Sequence, residues 1–221
     1  MNDASFRTAF EVLWRRFRVT NWAEGVDPFE VLISIVVSQN STDAMTEKVM
    51  RSLRGEMAVT PATIARADTA RLVRILRPAG LARQKVPRIR QLARELLGAH
   101  GRGLANLLDL PTHAARAALQ DLPGVGPKTA DVWLSLVAGR DTMPVDTHIA
   151  RLARRWRLAR TGNYEEITAQ LKALIPPSRR ARGHLVLIQF GREICAARRP
   201  RCEVCPVYDL CDANAKRPRS A

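Results

Sequence analysis

Apolar residues recur at intervals of three and four through nearly the whole chain, and this rhythm restricts the fold more than any motif does. Phe6, Phe10, Leu13 and Phe17 form one series; Leu72, Ile75 and Leu76 a second; Val86, Ile89, Leu92 and Leu96 a third. Ile149, Leu152 and Trp156, then Ile167, Leu171 and Leu174, continue it. Such spacing puts each series on one face of a helix, whereas a half-buried strand would alternate every second residue, and no alternating stretch competes. The pattern predicts an all-α protein. Glycine and proline divide it into short helices, with breaks at Gly55, Pro61, Pro78 with Gly80, Gly98 to Gly103, Pro123 to Gly126, Gly139, Pro144, Gly162, and Pro176 with Pro177. Of these helices, FEVLISIVV is apolar nearly all round and predicts a central buried one, with Asp27 as N-cap, Pro28 in its first turn and Glu30 as the capping-box acid. Trp14, Trp22, Trp133 and Trp156 are expected as core anchors.

A chain of 221 residues can bury a real core in one large domain or two small ones. Its 36 basic residues against 21 acidic ones give a formal charge of +15, a field that calls for a polyanionic partner. Nucleic acid is favoured over an acidic membrane surface: no run approaches the roughly 18 apolar residues of a membrane span, and MNDASFRTAF lacks a signal peptide's apolar core. These features predict a cytoplasmic, bacterial-type protein associated with the nucleoid, with a disordered tail after Cys211. In a reducing compartment Cys195, Cys202, Cys205 and Cys211 are candidates for cofactor ligands rather than disulfides.

The cysteines are separated by six, two and five residues. Only Cys202 and Cys205 form a knuckle of the kind that structural zinc takes in pairs, and a compact run of four thiolates suits a 4Fe-4S cluster, with zinc as the alternative. Between the first two cysteines, AARRPR carries Arg198, Arg199 and Arg201, a basic edge for phosphates.

In LPGVGPKTAD, Gly124, Val125 and Gly126 predict a hairpin between two helices, the second starting near Pro127. The backbone N-H groups of a helix N-terminus behind two glycines suit a DNA phosphate. Lys128 then falls on the first helical turn, where the dipole opposes an ammonium. An amine that can lose its proton is a nucleophile able to form a Schiff base; the alternative is a solvated lysine. In VDTHI, Asp146 either caps a helix or stabilises positive charge developing on a substrate. His148 either orients Asp146 or bonds to backbone, while His100, His113 and His184 show no ligand spacing.

In this order, LPGVGPKTA, VDTHI and the cysteine run resemble the endonuclease III family of helix-hairpin-helix DNA glycosylases, with collinear similarity from about residue 5 to 212. The resemblance implies a two-lobed all-α fold: a six-helix barrel over residues 21–140 with the hairpin motif, and an iron-sulfur lobe from residues 1–20 and 141–221. Double-stranded damaged DNA is expected across the cleft between them, bound by a monomer. The resemblance also implies Lys128 as nucleophile, Asp146 as catalytic carboxylate and the four cysteines as ligands of a 4Fe-4S cluster. Leu81 matches a residue that wedges into the duplex, with a buried helix-closing leucine as the alternative. Asn40 stands where the family often has a longer, gap-filling glutamine, so Gln39 is an alternative for that role. The hairpin residues with Thr129, together with His148, are expected at the DNA. The implied activity is a bifunctional glycosylase and abasic-site lyase for oxidised pyrimidines. Mismatch adenine glycosylases usually lack the lysine and carry a glutamate where Ile35 stands here. A glycosylase for mispaired thymine or uracil, and a non-catalytic binder of distorted DNA, are the alternatives.

Overall fold

A computed structural model describes residues 1–98, 103–159, 161–211 and 213. The expectations for His100 and for the tail beyond residue 213 lie outside them. Among the described residues there are twelve α-helices and no strand. In chain order they are α1 (Asp3–Arg16), α2 (Pro28–Ser38), α3 (Asp43–Glu56), α4 (Pro61–Arg66), α5 (Thr69–Leu76) and α6 (Ala82–Gly98). There follow α7 (Asn106–Asp109), α8 (Thr112–Gln120), α9 (Pro127–Leu136), α10 (Thr147–Arg155), α11 (Tyr164–Leu174) and α12 (Pro177–Glu193). No described helix is long and apolar enough to cross a membrane. The chain divides into two compact units, one spanning Ala23–Arg140 and the other combining Met1–Trp22 with the described residues from Asp141 onward.

The Ala23–Arg140 unit is built around α2. Asp27 Oδ1 accepts from the N-H groups of Phe29 (2.9 Å) and Glu30 (3.2 Å), so the cap forms as its residue type dictates. The Glu30 carboxylate takes Arg54 Nε at 2.5 Å. Seven of the helix's residues, from Phe29 to Val37, are buried. Trp133 of α9, fully buried, donates its indole N-H to the Pro28 carbonyl at 2.9 Å and so pins α9 to the start of α2. The break expected at Gly55 does not occur, because α3 runs on to Glu56.

The other unit packs α1, α10, α11 and α12 around an aromatic cluster. Phe6 meets Trp156 edge-on at 6.0 Å between centroids, and Trp156 stacks on Phe190 at 5.8 Å. Gly183 in α12 is required by this packing, since a Cβ there would lie 2.9 Å from Phe10 Cζ. Trp156 is thus a core anchor, whereas Trp22 is 44% exposed, contrary to expectation. Trp22 lies outside the helices, so no apolar helical stripe carries it inward.

Candidate functional site

The helix at the hairpin starts where proline allows it. Pro127 is the first residue of α9, Gly126 caps it without a side chain, and the first helical bond runs from the Ala130 N-H to the Gly126 carbonyl at 3.0 Å. Gly124 has φ +80°, in the left-handed region that disfavours a Cβ, and the Val125 N-H closes the turn on the Leu122 carbonyl at 3.1 Å. Val125 is buried and anchors the hairpin, while Gly126 and Pro127 are exposed. Lys128 sits half-buried in the first turn of α9, directly behind the hairpin.

Two residues expected at the DNA turn their side chains inward. Gln39 Nε2 donates to the Gly124 carbonyl at 3.0 Å and to Thr129 Oγ1 at 3.3 Å, and Thr129 is itself buried. The Gln39 amide therefore braces the hairpin, which leaves Asn40 as the residue presented at that turn. Asn40 is exposed with φ +54°. Leu81 shares that conformation, φ +54°, and is 46% exposed. Its carbonyl accepts from the Gln84 and Lys85 N-H groups, both at 2.9 Å, so it begins α6 from the cap position. A branched side chain in the left-handed region and open to solvent is strained and unburied at once, a combination that packing does not explain.

In the other unit, Asp146 does cap α10: Oδ1 accepts from the Ile149 N-H at 2.8 Å. One such bond leaves a carboxylate most of its accepting capacity, so capping and catalysis are compatible. His148 Nδ1 lies 3.0 Å from Arg151 Nη2. The ring also makes a hydrogen bond with the Gly191 backbone. Burial lowers the His148 pKa, with the Asp146 charge acting against it. Arg151 also donates to the Gly191 carbonyl at 2.7 Å, tying α10 to α12. His184, buried, meets the Pro144 carbonyl at 3.0 Å, and His113 is exposed.

All four cysteines line one cavity, walled also by Trp156, Phe190, Ile194 and Val207 and by Arg155, Arg201 and Tyr208. Burial pushes the Cys205 thiol up to about 11 and raises that of Cys195. Among the described residues no three His, Cys, Asp or Glu side chains converge closely enough to hold a single metal ion. Four cysteine thiols lining one cavity are the donor set that an iron-sulfur cluster takes. Arg155, which no sequence signal singled out, organises the ligand loop. Its Nη1 donates to the Cys195 carbonyl (3.0 Å), Cys195 Sγ (3.0 Å) and the Ala196 carbonyl (2.9 Å), and its Nη2 to the Ala197 carbonyl (3.1 Å). Arg198, Arg199 and Arg201 are left exposed on that loop.

Residues 33–177 match the family model of the HhH-GPD superfamily base excision DNA repair proteins, and residues 195–211 match the iron-sulfur binding domain of endonuclease III. Endonuclease III of Escherichia coli K12 is 35% identical over 189 residues, covering 86% of this chain and 85% of that protein. Endonuclease III of Thermotoga maritima is 34% identical over 191 residues, covering 86% and 85%. The structure of a trapped endonuclease III-DNA covalent intermediate superposes with a TM-score of 0.84 at 30% identity, covering 96% of each chain. The C-terminal segment is therefore an iron-sulfur binding domain, and its cofactor is a 4Fe-4S cluster. With the hairpin, the buried helix behind it and the thiol-lined cavity in place, the chain belongs to the endonuclease III family of HhH-GPD base excision repair proteins.

Proposed function

We propose that Lys128 is the nucleophile through which this chain performs its family's reaction, with Asp146 as the supporting carboxylate and oxidised pyrimidines in duplex DNA as substrate. The chain is a DNA glycosylase and abasic-site lyase of base excision repair. Its reaction needs the damaged nucleotide out of the stack, where the sugar can be reached. Lys128 Nζ, unprotonated, attacks C1' as the bond from C1' to the base breaks and the base departs with its electron pair. Asp146 stabilises the positive charge that develops on the sugar ring. The attached nitrogen loses one proton, and its lone pair then expels O4', which takes up a proton as the ring opens; the protonated imine that results acidifies C2'. Removal of a C2' proton then breaks the C3'-O bond and releases the 3' phosphate, and hydrolysis of the imine returns the lysine.

The observation that carries this reading is the place of Lys128: in the first turn of a helix entered through a hairpin that buries Val125 and leaves Gly126 exposed. Hairpin amides hold phosphate, and an amine one step behind them is within a side chain's length of the adjoining sugar. The cluster's ligands are Cys195, Cys202, Cys205 and Cys211; when bound, it pins the loop bearing Arg198, Arg199 and Arg201 for phosphate contact. A single-turnover assay on duplex containing one oxidised pyrimidine tests the assignment. Lys128→Ala should lower the rate of strand cutting at least ~10³-fold while DNA affinity changes little; a variant that cuts at near the parental rate places the nucleophile elsewhere.

A further inference from the structure

We propose that Lys85 is a positioning residue whose buried side chain clamps together the two turns that present Asn40 and Leu81 to DNA, so that they enter the duplex as one rigid unit. This rests on the reading of Leu81 as the wedge. Lys85 lies on the apolar stripe of α6, between Ala82 and Ile89, where an aliphatic residue would satisfy packing. It is only 3% exposed, and its Nζ donates to the Val37 carbonyl at 2.8 Å and the Ala79 carbonyl at 2.9 Å. Burying an ammonium costs far more than burying a methyl group, so what it holds must repay that cost.

What it holds is two chain turns far apart in sequence. Val37 is in the last turn of α2, and three residues on stands Asn40. Ala79 ends the short 3-10 turn Arg77–Ala79, and two residues on stands Leu81. Asn40 and Leu81 both take the left-handed conformation at φ +54°, as Arg157 and Arg199 do at +55° and +51°; asparagine tolerates it, whereas a leucine holds it only where its surroundings enforce it. The turns are close neighbours, since a Cβ built on Gly80 would lie 4.0 Å from the Asn40 carbonyl oxygen. Each is closed by its own backbone bonds, Ser41 N-H to Ser38 (3.0 Å) on one side and Gly80 N-H to Arg77 (3.1 Å) on the other. The position also favours the cation, because carbonyls at a helix C-terminus carry the negative end of the dipole. Desolvation lowers the Lys85 pKa, in keeping with its depth.

A wedge does work only if it does not yield when pressed between stacked bases, and side chains on unsupported turns yield. Fixing both turns to one nitrogen makes displacement of Leu81 cost displacement of Asn40 as well. Lys85 thus serves lesion opening more than the cutting chemistry.

Two measurements on the full chain with its cluster test this. In the parental protein, native-state hydrogen exchange should show the Ser41 and Gly80 amides opening together, with the same denaturant dependence; independent opening overturns the clamp whether or not any variant folds. In single-turnover assays, Lys85→Met should reduce the ratio of base release to cutting at a preformed abasic site by about tenfold or more, and Lys85→Arg should recover part of it. Combined with Leu81→Ala, Lys85→Met should add little to the loss. A full, multiplicative further loss would show that Lys85 acts apart from the wedge and overturn the proposal. If Leu81→Ala alone leaves base release intact, the wedge reading itself falls, a result distinct from an intact wedge that ignores Lys85.

Discussion

Asp146 caps α10 and, in the proposed reaction, also supports positive charge on the sugar, and residue chemistry can separate the two. Asparagine caps a helix about as well as aspartate but cannot stabilise positive charge. Asp146→Asn should therefore keep most of the protein's thermal stability while its single-turnover rate falls about 10²-fold. Asp146→Ala should lose the cap as well, at a cost of ~1 kcal/mol of unfolding free energy. Equal rates in Asp146→Asn and the parental protein would leave the residue only its hydrogen bond to Ile149. At this scale the sequence was informative where chemistry is local. Asp27 and Asp146 cap, and Pro127 starts a helix, because each acts on backbone within three residues of itself. It was silent where a side chain reaches across the fold: Arg155 on the cysteine loop, and Gln39 on the hairpin 85 residues away. Lys85 left one trace, a lysine on an otherwise apolar stripe.

Helices were legible from apolar periodicity, yet how closely they pack is decided by partners the periodicity does not name. Gly183 and Gly55 show the difference. Both lie within helices, and a sequence reading treats Gly55 as a break. At Gly183 a Cβ would collide with Phe10 of α1, while at Gly55 it would meet nothing within 4 Å. Gly183→Ala should thus destabilise by about 1–3 kcal/mol through overpacking. Gly55→Ala should stabilise by up to ~1 kcal/mol through helix propensity. Thermal or denaturant unfolding of the two variants checks the opposite signs; a Gly183→Ala protein as stable as the parent would mean that α1 and α12 are not packed through this contact. Leu81 belongs here too. Its exposure follows from the left-handed entry to α6, which nothing in the stretch AGLARQK announces unless the family is recognised.

For the whole molecule, a charge of +15 points to a polyanion and the helical rhythm to an all-α fold, but neither alone selects a reaction. The reaction came into view only when the hairpin, the carboxylate stretch and the cysteine run were taken in order. The two units that carry Lys128 and Asp146 are separate in composition, with the former in Ala23–Arg140 and the latter in the unit that holds the cluster. In the proposed reaction Lys128 forms a covalent bond to the sugar, and that event can be caught chemically. Borohydride reduction of the imine during reaction with abasic-site duplex should yield one protein-DNA adduct, mapped by peptide mass to Lys128, and Lys128→Ala should give none. An adduct of equal yield in Lys128→Ala, or one mapped to another residue, would contradict the account.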